Sequence, residues 1–120
     1  MNFQSLMDER LPVWTALSEL FLDTELQEDD IARIVAVLAR SPYSSREVEA
    51  ILKNEVSPAF AANLLSIAGE WQPWPEAQVR EIMERSIRMA LSTNFFDRIR
   101  SSLKRRIIPP EWHRIAVQLV

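Results

Sequence analysis

His113 is the only histidine among 120 residues, and the chain has no cysteine. Nucleophilic catalysis would therefore have to pair His113 with a serine or threonine and a carboxylate brought from elsewhere in the fold. The plainer alternative places His113 on the side of a short terminal helix. A single glycine, Gly69, excludes a Gly-x-Ser-x-Gly elbow, a phosphate-cradling loop and a dinucleotide fingerprint, all of which need several glycines at fixed spacing. Carboxylates are more plentiful. Asp23, Glu25, Glu28, Asp29 and Asp30 fall in one short run, yet a calcium loop needs alternating oxygen ligands and a mid-loop glycine, and this run has neither. No Glu-x-x-His pair is present to build a bundle metal site. No metal and no cofactor are expected, and the run fits two other uses: capping the helix that follows, or meeting a basic partner.

The strongest case for nucleic acid is the group Arg98, Arg100, Lys104, Arg105 and Arg106. These residues do not share one helical face, basic side chains near a helix carboxyl end complement its dipole without any ligand, and a net charge of −3 opposes phosphate-driven binding. A nucleic-acid-associated regulator is thus the alternative reading. Trp71 and Trp74 lie in Gly69-Glu70-Trp71-Gln72-Pro73-Trp74-Pro75, with prolines on their flanks. They either fold back onto the core or stand as rigid anchors for another protein.

Helices must position all of these groups, because one glycine leaves little room for tight hairpin turns. The apolar spacing predicts a first helix from Leu11 to about Leu22, with Pro12 in its first turn and Val13, Trp14, Leu17, Leu20 and Phe21 on one face. Ile31, Ile34, Val35, Val37 and Leu38 predict a second, ended by Arg40 and Ser41-Pro42. Ser44 and Glu47 form a capping-box pattern for a third that stops near Asn54, and Ser57-Pro58 reads as the start of a fourth. Gly69 is expected to end that fourth helix in the left-handed conformation. Pro75 opens a fifth, carrying Val79, Ile82, Met83, Ile87, Ala90 and Leu91, with a break near Ser92-Thr93-Asn94 before Phe95, Phe96, Ile99 and Leu103. A last short helix is expected between Glu111 and Leu119. The reading is all-α: one domain over residues 1–120, a compact bundle of six or seven short helices.

Composition agrees with a packed domain: 48% of residues are hydrophobic and 26% charged. The amino-terminal residues lack the pattern of a secretion signal, no segment is long and apolar enough to span a bilayer, and the cysteine-free chain suits a reducing cytoplasm. Charge is divided along the chain. Residues 1–69 hold 11 acids and 5 bases, or −6, whereas residues 70–120 hold 6 acids and 9 bases, or +3. Either these are solvated helix faces of different sign, or the acidic part meets a basic partner.

Four strings resemble, together, a family of small bacterial helical proteins catalogued as a domain of unknown function. They are Val13-Trp14-x-x-Leu17-Ser18-x-Leu20-Phe21-Leu22-Asp23-Thr24-Glu25-Leu26, Ser41-Pro42-Tyr43-Ser44, Ile51-Leu52-x-x-Glu55-Val56-x-Pro58 and Asn63-Leu64-Leu65-x-x-Ala68-Gly69-Glu70-Trp71. The resemblance spans about residues 11–75 and implies a bacterial, cytosolic protein with no assigned catalytic residues. In size, charge and class the chain is also similar to immunity proteins of bacterial toxin systems. The function expected is a non-catalytic protein-binding module, most concretely an immunity protein that occludes a toxin encoded nearby. Its contacts would come from Asp23, Glu25, Glu28, Asp29, Asp30, Trp71 and Trp74.

Overall fold

Asn2 starts the first helix, its side chain accepting the Ser5 N–H at 2.8 Å and so satisfying one of the free donors of the opening turn. The computed structural model describes residues 2–65, 69–92 and 107–119. Helix α1 runs Phe3–Ser18, eight residues earlier than the apolar pattern predicts, and Pro12 lies inside it. Pro12 is tolerated there because it faces solvent, so water can reach the Asp8 carbonyl that its missing N–H leaves free. A 3-10 turn, Glu19–Phe21, follows.

Helix α2 (Glu28–Arg40) begins where Asp30 reaches back to the Gln27 N–H at 2.9 Å, and α3 (Ser45–Ile51) begins at the Ser44–Glu47 capping box, with both bonds formed. What comes next departs from expectation. The chain passes from α3 through a π turn, Leu52–Val56, straight into α4 (Ser57–Leu65), so Ser57-Pro58 does not start a new helix. Pro58 has no N–H for the Asn54 carbonyl, and its ring would crowd that carbonyl in α geometry. The wider π turn makes room. Ser57 is buried within the rod, where its hydroxyl accepts the Ile107 N–H at 2.8 Å.

Helix α5 spans Glu76–Ser92, opened by Pro75 as predicted, and α6 spans Trp112–Ala116. Counting α3–π–α4 as one rod, the described residues form five helical rods and no strand, rather than six or seven helices. Residues 95, 96, 99 and 103, expected on a further helix, lie outside the described residues. Helix α1 is central: it packs against α2, α5 and the π turn, while α6 closes over α2. Trp14, Leu17, Phe21, Ile34, Leu38, Leu52, Met83 and Trp112 are almost wholly buried between them. Ala90, predicted on the apolar face of α5, is exposed. The radius of gyration is 13.9 Å, close to the roughly 13.6 Å of a globule of this length. No helix among the described residues is long and apolar enough to cross a membrane.

Candidate functional site

Asn63 joins the two segments that carry the candidate residues. From α4 its Nδ2 donates to the Phe21 carbonyl at 2.8 Å and the Glu70 carbonyl at 3.0 Å, while its Oδ1 accepts the Glu70 N–H at 2.8 Å. The Asp23 N–H adds a fourth bond, to the Glu70 carbonyl at 2.6 Å. The acidic connector and the tryptophan segment therefore lie side by side, each fixed at its backbone. Gly69 allows this approach by lacking a side chain: a Cβ there would stand 2.6 Å from the Asn63 carbonyl oxygen. The left-handed conformation expected of Gly69 is not found, since no described residue has positive φ. Its role is close approach rather than backbone reversal.

The four tryptophans divide. Trp14 and Trp112 are buried, and each indole N–H meets a carboxylate, Glu55 at 2.9 Å and Glu49 at 2.7 Å. Trp74 is half-buried, with its ring 4.8 Å from that of Phe60 in a tilted arrangement. Trp71 is 63% exposed although the backbone on its amino-terminal side is latched in place. Folding thus takes up one of the two candidate anchors and leaves the other in water.

The carboxylates divide as well. Asp30 holds the amino end of α2 and also meets Arg33 at 3.1 Å. The hydrogen bond from the Gln27 N–H, helped by Arg33, keeps its carboxyl below the usual range. Glu28 pairs with Arg114 at 2.6 Å, tying α2 to α6. Asp23, Glu25 and Asp29 are exposed. Among the described residues no three histidine or carboxylate side chains gather as a metal site would require. His113 is exposed on α6, and Arg98, Arg100, Lys104, Arg105 and Arg106 lie outside the described residues.

Over residues 8–118 the chain matches the family described as "Domain of unknown function (DUF7079)". The chain belongs to this family. The match takes in all seven candidate residues and continues beyond residue 75 through α5 and α6. No curated protein and no solved structure matches the chain.

Sequence reasoning missed a second cluster in this family member, between α1 and the π turn. Glu55, in the π turn, takes an ion pair from Arg10 as well as the Trp14 N–H, and the Arg10 guanidinium lies 5.5 Å from the centre of the Tyr43 ring. Tyr43 donates to Glu9 at 2.9 Å, and burial raises its hydroxyl pKa. A cavity of about 170 Å³ opens here, lined by Arg10, Tyr43, Glu47, Ile51, Asn54 and Glu55. Its cation and its central carboxylate are engaged with each other, so the arrangement stiffens the α1–π-turn contact. No local spacing marks Asn63 or Glu55, whose partners lie 42 and 41 residues away.

Proposed function

We propose that this protein is a non-catalytic protein-binding module, most concretely an immunity-type protein of a bacterial cytoplasm that occludes a toxin encoded nearby. The observation that carries the reading is Trp71: a large aromatic left 63% exposed beside a latch of four hydrogen bonds. An aromatic that is held out of the core gains little for folding, and a rigid aromatic loses little freedom when a partner covers it. Asp23, Glu25 and Asp29 are exposed, and Asp23 is bonded through its N–H to the residue before this anchor, so the connector offers carboxylates suited to steering a basic partner.

Co-expression with the products of adjacent genes, followed by co-purification and binding kinetics, tests the proposal. A stable complex is expected, with Trp71→Ala mainly speeding dissociation and charge reversal at Asp29 mainly slowing association. Failure of every adjacent gene product to bind would remove the reading.

A further inference from the structure

Trp71, the most exposed of the described aromatic rings, differs from the two half-exposed rings that a cation covers. Arg10 lies over Tyr43 and Arg88 over Phe3, each within 5.5 Å of the ring centre, so this chain already uses its cations to cover half-exposed rings. Among the described residues no cation covers Trp71, the more exposed ring and, as an indole, the type with the strongest attraction for one. The nearest charges along the backbone are of the opposite sign. Glu70 precedes Trp71, and Asp23 is bonded through its N–H to the Glu70 carbonyl, with Glu25 two residues on; all three are exposed. The segment arrives preorganised, because the Asn63 latch fixes the Glu70 backbone.

We infer that the partner seats an arginine or lysine on the face of Trp71, with its charge shared by the carboxylates of Asp23 and Glu70. This deepens the proposed function and rests on the same surface, but it makes a separate claim: the anchor pairs with a cation and is not merely an apolar plug. An apolar plug would be served equally by leucine. A cation site needs the aromatic ring and loses affinity when its neighbouring carboxylates are neutralised.

The test uses the full-length protein and a neutral-capped hexa-arginine peptide, with hexa-citrulline as the uncharged isostere, followed by NMR of the Trp71 indole N–H at low and physiological salt. Hexa-arginine is expected to shift the Trp71 resonance and hexa-citrulline to leave it in place, with the response weakening as salt rises. With affinities for hexa-arginine measured by isothermal titration calorimetry, Trp71→Phe should retain part of the parent's affinity, while Trp71→Leu and Asp23→Asn should each lower it by roughly two- to fivefold. Equal shifts with both peptides, or a Trp71→Leu variant that binds hexa-arginine as tightly as the parent, would overturn the inference. Those results are distinguishable from failure of the proposed function. A gene-neighbour complex that is untouched by Trp71→Leu but weakened by Trp71→Ala would keep the binding module and discard the cation. Peptide binding with no gene-neighbour complex would do the reverse.

Discussion

At the scale of single residues, Gly69 and Asn63 act as one device. Alanine at position 69 would place a methyl group 2.6 Å from a backbone oxygen, a contact that only a backbone shift can relieve. Gly69→Ala is therefore expected to cost about 1–3 kcal/mol in denaturant unfolding, the range of an overpacked site. Asn63→Ala removes the side chain that answers the Phe21 carbonyl and both backbone groups of Glu70, and a loss of about 1–3 kcal/mol is expected. The Trp71 indole resonance should broaden or move in both variants, since each disturbs the same backbone. Glu47 gives a prediction in pH. The Ser44 N–H, with the Ser44 hydroxyl, holds its carboxyl below the usual range. The folded protein therefore binds that proton less readily than the unfolded chain. The capping contribution is complete above the ordinary glutamate range and fades as pH falls through the lower folded value. Glu47→Gln should melt below the parent at pH 7, and the gap should shrink in acid. A gap that stays constant with pH would show that charge has no part in the cap.

Helical elements follow the sequence where a signal is local and depart from it where two signals conflict. Ser44 and Glu47 are three residues apart and form the cap their spacing predicts, and Pro75 opens α5. Pro12 and Ser57-Pro58 carry the same start signal as Pro75, yet both lie inside continuous helix. Proline reports only that one N–H is missing, and tertiary packing decides whether the chain stops or bends around the gap. In α1 the gap faces solvent. Before α4 a π turn absorbs it, and the same turn carries the Glu55 carboxylate that meets Arg10 and Trp14. Glu55→Ala should then cost more than an ordinary surface carboxylate, about 1–3 kcal/mol by thermal or denaturant unfolding, because a buried indole N–H and a half-buried guanidinium lose their acceptor together. Glu55→Gln keeps an acceptor for Trp14 and should recover part of that loss.

At the scale of the whole molecule, the division of charge along the sequence adds little to the stability of the described residues. Among the described residues two ion pairs cross from one part to the other, Asp8–Arg80 and Glu28–Arg114, and in each the acidic side chain is mostly exposed. Pairs of this kind contribute about 0–1 kcal/mol and weaken with salt. The apolar ordering of the core was legible from helical spacing, since Trp14, Leu17, Phe21, Ile34, Phe60, Met83 and Trp112 are all buried where the pattern puts them. The candidate surface was only half legible. The sequence marks Trp71 and Trp74 alike, and only the contact with Phe60 separates them; the Asn63 latch likewise depends on a partner 42 residues away in the sequence. The same distinction between packing and charge applies to α6. Trp112 is 1% exposed and bonds Glu49, whereas Arg114 reaches Glu28 across solvent. Trp112→Ala should cost about 3–5 kcal/mol at either salt concentration, the range of a large core truncation, and Arg114→Gln less than about 1 kcal/mol at low salt and less again at high salt. Chemical denaturation of the two variants at two salt concentrations separates the contributions. A large, salt-sensitive loss in Arg114→Gln would mean that the acidic face of α2 is held by its own basic tail, and that a partner must displace Arg114 before it can use Glu28.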